Sequence, residues 1–229
     1  MTYDDGLPAA AGPGVASVAR RSESGIDYWR DRTDALGERA VISTDHDAPV
    51  ADVSATHRAL LLPALAGILP LAPGQAMART VLDLGCGSGR LTADLAALAG
   101  RAIGVDPVAE LLALAPPSDR VEYRLLAGAG EHLPLREDEV QVAFTCLVLG
   151  GIEGEDALAA AGAEIERVLA PCGLVFLAES VSDQPAAGHW TFRSIADYRA
   201  ALPWAGLQEI ARFDDAGDAV RVMAGRKPA

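Results

Sequence analysis

Aromatic residues make up only 5% of this 229-residue chain, which has three cysteines, four histidines and one lysine, Lys227. Each shortage excludes something. With so few aromatic rings, the core has to be built from Leu, Val, Ile and Ala. Cys86, Cys146 and Cys172 form no CxxC pair and no metal-ligand spacing, so no metal site is expected. No run of Lys and Arg occurs, the formal net charge is −13, and the pI is near 4.6. A surface this acidic repels a phosphate backbone and an anionic bilayer, so neither nucleic acid nor membrane is an expected partner. The longest apolar stretch, Ala59 to Ala72, is cut by Pro63 and Pro70 and is too short to cross a bilayer. The start, Met1 to Asp5, is acidic and lacks an apolar signal core, so a cytoplasmic protein with reduced thiols is expected. Nothing in the pattern specifies an oligomeric state.

What is present is an ordinary globular composition, 50% hydrophobic and 22% charged, in a chain of single-domain size. Residues 1–22 are rich in Gly, Ala and Pro and read as a flexible arm. Residues 23–78 read as a helical lid or cap, with a short helix over Ser24 to Leu36. A longer helix runs from about Ser54 through Leu69, kinked at Pro63. Residues 79–229 read as the main domain. Apolar strands at Thr80–Leu84, Ala102–Val105, Val121–Leu126, Val140–Leu149 and Leu174–Ala178 alternate with helices at Leu91–Leu98, Pro107–Ala115 and Asp156–Leu169. Pro171 to Gly173 is a turn. A helix at Ile195–Leu202 then leads into strands Gln208–Phe213 and Ala219–Ala224, joined by the turn Asp214 to Asp218. Such alternation predicts an α/β fold. Its sheet is Rossmann-like, seven-stranded and mostly parallel, with helices on both faces and an antiparallel last strand.

Chemistry concentrates at the first strand–loop–helix unit, Asp83-Leu84-Gly85-Cys86-Gly87-Ser88-Gly89. Glycines let the backbone turn tightly and let a ligand approach, and the following helix N-terminus offers unpaired N–H groups. The spacing is GxGxG. A dinucleotide loop needs GxGxxG, and Arg90 occupies the place of its third glycine, so the fit to NAD is poor. Asp106 follows at the end of the second strand, roughly 20 residues on, where such folds hold ribose hydroxyls with a carboxylate. Two roles are open to it: gripping a cis-diol, or capping the helix that starts near Pro107.

The chain resembles the class I S-adenosylmethionine-dependent methyltransferases of small-molecule type. The likeness rests on four ordered blocks: Val81 to Leu91, Ile103 to Pro107, Gly130 to Leu135, and Ile165 to Leu174. It implies S-adenosylmethionine as cofactor and S-adenosylhomocysteine as product. The backbone of Gly85, Cys86, Gly87 and Gly89 would lie under the methionine and ribose part. Asp83 would hold the loop or the amino group. Asp106, with Pro107 beside it, would take the ribose. Gly130 and Glu131 would serve adenine, and Leu147 would sit near the sulfonium. Three positions depart from the family pattern: Ala129 stands where an Asp often serves adenine, Gly150-Gly151 stands where many members have two histidines, and Cys172 interrupts a Pro-Gly-Gly turn.

Methyl transfer needs a base only if the acceptor must lose a proton. His189, after the fifth strand, is the preferred candidate base. Gly150, Glu179, Trp190 and Arg193, near the same strand ends, and Tyr28 of the N-terminal region are candidate substrate contacts. Tyr28 and Trp29 either close a lid on the cofactor or pack the first helix onto the sheet. Cys86 reads as a small filler rather than a nucleophile. The expected function is methyl transfer to an O, N or C atom of a small-molecule acceptor, possibly in secondary metabolism. The alternatives are a non-methylating cyclisation or rearrangement, motivated by space at Gly150-Gly151, and a non-catalytic cofactor-binding protein.

Overall fold

The computed structural model describes residues 25–42, 47–69, 79–127, 132–182 and 189–229. Seven strands form one sheet: β1 (Arg79–Leu84), β2 (Gly100–Asp106), β3 (Val121–Leu125), β4 (Val140–Cys146), β5 (Leu169–Ser180), β6 (Gln208–Asp215) and β7 (Asp218–Arg226). Their order is β3-β2-β1-β4-β5-β7-β6. All pairs from β3 to β5 are parallel, and β7 runs antiparallel between β5 and β6. The mostly parallel α/β sheet read from the sequence, with its antiparallel last strand, is therefore present. The chain winds outward from β1 to β3, then returns to β4 on the other side of β1. Such a reversal opens a crevice at the carboxyl ends of the central strands.

Alternation along the central strands sends side chains to both faces. Leu82 and Leu84 pack with Ile165 and Val168 of α5 (Glu155–Val168) and Tyr198 and Leu202 at α6 (Ile195–Ala201). Val81 faces the other way, toward Leu61 and Leu65 of α2 (Val50–Ile68) and Leu95 and Ala99 of α3 (Thr92–Ala99). The core is aliphatic apart from a few rings, chiefly the stacked Phe144–Phe176 pair. Each fully buried Leu or Val contributes about 1.5–3 kcal/mol. Helix α2, read from the sequence as part of a cap, thus supplies core to the sheet. It starts at Val50, four residues before Ser54, and runs through Pro63 as one helix.

Four boundaries move. Helix α4 is a single turn, Ala109–Leu112, and stops short of Ala115. Strand β4 ends at Cys146 rather than Leu149, because Leu147 turns left-handed (φ 57°) and Leu149–Gly151 form a 3-10 turn. The Pro171–Gly173 turn is a bulge inside a longer β5: Val140 pairs with Leu169 and Val142 with Leu174. Cys172 there has φ 60°, a conformation that glycine adopts at no steric cost. The β6–β7 hairpin closes on Ala216-Gly217, both at positive φ as a tight two-residue turn requires.

Candidate functional site

The crevice holds a cavity of about 370 Å³. Its floor is the loop after β1. Gly85 and Cys86 donate their N–H groups to Val105 O at 2.8 and 3.1 Å, which locks the loop against the end of β2. Gly85 and Gly87 have φ of 71° and 56°. A Cβ on Gly85 would strike Val148, and one on Gly87 would lie 2.7 Å from Val41. Both valines line the cavity, so any side chain at either glycine would intrude on its wall. The buried Ser88 hydroxyl within this loop has no hydrogen-bond partner.

Asp106 closes the far side. Its Oδ2 accepts the Gly87 N–H at 2.8 Å and its Oδ1 accepts the Val108 N–H at 2.9 Å. The carboxylate lines the cavity although it is only 6% exposed. Burial raises its pKa, and the two N–H bonds pull it back. Both roles open to it in the sequence are thus compatible: it caps the turn after Pro107, and each oxygen keeps a lone pair for a hydroxyl.

Of the cofactor candidates, Gly85, Cys86, Gly87, Asp106, Pro107 and Leu147 line the cavity. Asp83 and Gly89 do not. Asp83 points to the opposite face, where its Oδ2 accepts the Thr92 hydroxyl at 2.6 Å and ties β1 to α3. Burial pushes its carboxyl up to about 7. Gly89 (φ 75°) lies against Tyr123. Gly130 and Glu131 lie outside the described residues, as does Ala129. Cys86 is buried with its thiol pKa pushed up, so it stays a neutral filler.

The substrate and base candidates are placed differently: none of Tyr28, Gly150, Glu179, Trp190, Arg193 or His189 lines the cavity. Glu179 is fully buried. It accepts the Thr145 hydroxyl at 2.7 Å and the Val148 and Leu149 N–H groups at 3.1 Å, and burial pushes it up to about 7. Arg193, 2% exposed, donates to Leu149 O at 2.8 Å and Ile152 O at 2.6 Å. Together they fasten the turn after β4 from both ends, which is why that strand stops early. The position of Gly150 is filled: a Cβ there would collide with the Trp190 indole, and the Thr191 N–H donates to Gly150 O at 2.8 Å. The widening that motivated a non-methylating reaction does not arise at Gly150.

His189 stacks on Tyr28, with ring centroids 3.5 Å apart and planes at 10°. Trp29 meets the same imidazole edge-on at 5.3 Å. Burial, with help from the Arg32 charge, pushes His189 down to about 4, so the ring is neutral at pH 7. This clasp fixes α1 (Gly25–Leu36) over the crevice, where Gly25, Ile26 and Trp29 form part of the cavity wall. Trp29 packs with Ala40, Val108 and Leu111 and forms part of the cavity wall.

Sequence reasoning missed several wall residues. Ala157 and Ala161, one turn apart on α5, line the cavity with Ile152 and Glu153. Arg90 does so too. Its place directly after the last loop glycine was a usable signal. The alanines gave none, because a small residue on a helix face reads as ordinary packing.

Residues 82–177 match the family described as methyltransferase domain. An uncharacterised methyltransferase of Mycobacterium bovis is 31% identical over 109 residues, covering 48% of this chain and 43% of that protein. The chain therefore spans less than half the length of the curated relatives it matches. Among solved structures, the DhpI–SAH complex superposes with a TM-score of 0.65 at 22% identity, over 90% of this chain and 97% of that one. A phosphoethanolamine N-methyltransferase of Haemonchus contortus, in complex with phosphoethanolamine and S-adenosylhomocysteine, gives 0.66 at 17% identity, over 90% of this chain and 48% of that one. The chain shares the fold of these two solved structures.

Proposed function

We propose that this chain, whose residues 82–177 match the family described as methyltransferase domain, is an S-adenosylmethionine-dependent methyltransferase acting on an O, N or C atom of a small molecule. The observation that carries the reading is the cavity between the glycine loop and Asp106, with both loop glycines facing its wall and a half-satisfied carboxylate at its far end. The bound cofactor supplies a methyl group made electrophilic by a sulfonium.

The chain's own residues hold, orient and cover. Gly85, Cys86 and Gly87 present backbone to the ligand without side-chain obstruction. Asp106 takes the ribose hydroxyls with the lone pairs left over from Gly87 and Val108. Pro107 and Val108 shape the nucleoside end, and Leu147 and Val148 border the reacting end. Ile26 and Trp29 cover the site and keep water from it, which favours a near-attack geometry. Among the described residues, the cavity wall contains no His, Lys or Tyr. Glu153 and Asp106 are its carboxylates, and Asp106 is committed to the nucleoside. An acceptor that needs no strong base fits this wall best.

A small acceptor suits a chain of net charge −13, which disfavours nucleic acid. Among the described residues no helix is long and apolar enough to cross a membrane. A cytoplasmic enzyme of secondary metabolism, with residues 1–22 as an arm and α1 as the covering element, completes the proposal. Calorimetric titration with S-adenosylhomocysteine tests the cofactor, and formation of that product with a panel of small acceptors tests the reaction. Absence of binding to both cofactor forms overturns the reading.

A further inference from the structure

Among the described residues, the charged side chains that line the cavity are Arg90, Asp106 and Glu153. The first two are engaged. Asp106 accepts the Gly87 and Val108 N–H groups. Arg90 Nη1 donates to the Ser54 hydroxyl on α2 at 3.2 Å, and Arg58 of the same helix donates to Arg90 O at 2.7 Å. Glu153 makes no hydrogen bond and no ion pair with any described residue. The next carboxylate along, Glu155, does not line the cavity and stands 3.8 Å from Arg193 Nε.

The backbone around Glu153 is fixed from both sides. Arg193 holds the preceding turn by Leu149 O and Ile152 O. Gly154 O, on the following side, accepts the Leu158 N–H at 3.2 Å and starts α5. The buried turn after β4 therefore carries one free charge at its end. Helix α1 faces it. A Cβ on Gly25 would lie 3.1 Å from Gly151 O and 4.0 Å from Glu153 Oε1, and one on Gly151 would lie 3.5 Å from Trp29 Nε1. The carboxylate, the start of α1 and the indole thus meet at one end of the cavity, with Ile26, Ile152 and Ala157 as apolar wall around them.

Strand order says which end this is. β1, which carries the glycine loop, lies between β2 and β4. Asp106 ends β2 on one side of the loop, and Glu153 follows β4 on the other. The anchor of Arg90, α2, packs on the Val81 face of the sheet, whereas α5 packs on the Leu82 face. Glu153 is therefore set apart from both other wall charges. A nucleoside held at Asp106 leaves the Glu153 end to the second substrate. A free carboxylate beside apolar wall attracts a cation more strongly than one in bulk water. The net charge of −13 draws cations toward the mouth and repels anions.

We propose that Glu153 selects an acceptor that bears an ammonium group. An ammonium held by a carboxylate keeps its proton and has no lone pair for attack, so the methylated atom is a different one on the same molecule. The proposal rests on the S-adenosylmethionine reading above. Its test is calorimetry on the full chain saturated with S-adenosylhomocysteine, using probes that share one phenol ring: tyramine, which carries an ammonium, p-ethylphenol, which is neutral, and p-hydroxyphenylpropionate, an anion. Glu153 is exposed, so the expected preference is moderate: tyramine about ten-fold tighter than p-ethylphenol, and the anion weakest. Glu153→Gln should reduce the tyramine advantage to about two-fold or less. Glu153→Lys should reverse the order of tyramine and the anion. Both variants should keep S-adenosylhomocysteine affinity within about two-fold of wild type, which separates lost selectivity from a collapsed pocket.

Equal binding of tyramine and p-ethylphenol to wild type overturns the proposal, and so does a tyramine advantage that survives Glu153→Gln. If wild type binds neither S-adenosylhomocysteine nor S-adenosylmethionine, the cofactor reading itself has failed. If it binds S-adenosylhomocysteine but shows no preference for tyramine, or no binding of it, only this inference has.

Discussion

Asp106 ends β2, and Glu179 lies one residue before the end of β5. Both carboxylates are buried, and both accept backbone N–H groups: Asp106 from Gly87 after β1 and from Val108 after its own strand, Glu179 from Val148 and Leu149 after β4. Asp106 makes two such bonds and faces the cavity. Glu179 takes two N–H groups and a hydroxyl, and faces none of it. The same side-chain chemistry therefore borders the cavity in one place and is spent on the chain in the other. What separates them is how many lone pairs the protein has already used. Beside Asp106, Gly87 carries no side chain to fill the cavity. Around Glu179, Arg193, Trp190 and the turn after β4 fill the space, so that half of the crevice is scaffold.

The largest effect that could break this contrast is on stability. Glu179→Ala leaves the Thr145 hydroxyl and the Val148 and Leu149 N–H groups without partners, at about 1–3 kcal/mol each. At roughly 2–4 °C per kcal/mol for a chain of this size, the melting temperature should fall by about 10 °C or more. A normal melt with lost methyl transfer would instead place Glu179 in the chemistry. Next comes Asp106→Ala, which should weaken S-adenosylhomocysteine by about ten-fold or more, or ~1.4 kcal/mol, with a smaller drop in melting temperature than Glu179→Ala. Unchanged affinity by calorimetry would remove its ribose role.

A third test uses pH. Burial raises Asp83 from 3.8 and Glu179 from 4.5, each to about 7. The folded state thus favours their protonated forms. The stability this contributes is fully present below pH ~4 and is lost as pH rises through 7. Thermal melts of wild type should fall across that window, and Glu179→Gln should flatten the slope. A wild-type stability that rises from pH 5 to 7.5 contradicts the assignment. The smallest effect should come from His189→Phe, which keeps a ring against Tyr28. Its S-adenosylhomocysteine affinity should stay within about two-fold of wild type, a difference under ~0.5 kcal/mol. Loss of turnover with an active acceptor, at unchanged affinity, would restore His189 as a base.

Much of the first region was legible along the chain. Val81 to Leu84 is an apolar run that ends in glycines, and a short-range pattern of this kind dictates strand, turn and helix almost by itself. Asp106 followed from its distance to that loop. The hairpin at Ala216-Gly217 was legible for the same local reason. The second region was not. Glu179 and Trp190 sit at strand and loop ends, where their order in the chain suggests a mouth. Their direction is decided by contacts 30 to 40 residues away, such as Glu179 with Leu149 and Trp190 with Gly150. His189 reached the neighbourhood foreseen for it, but its ring went to Tyr28, about 160 residues earlier in the chain.

Local backbone chemistry in the sequence was therefore enough to specify the parallel sheet, the glycine loop and the carboxylate that answers it, because glycine spacing and strand length act over a few residues. Only the tertiary structure decided which polar groups remain free. Burial forces each one to find a partner, and the partners lie far along the chain: Glu179 is taken by the turn after β4, Arg193 by that turn's carbonyls, and His189 by an aromatic clasp. Glu153, without a partner among the described residues, is the carboxylate left free at the cavity wall.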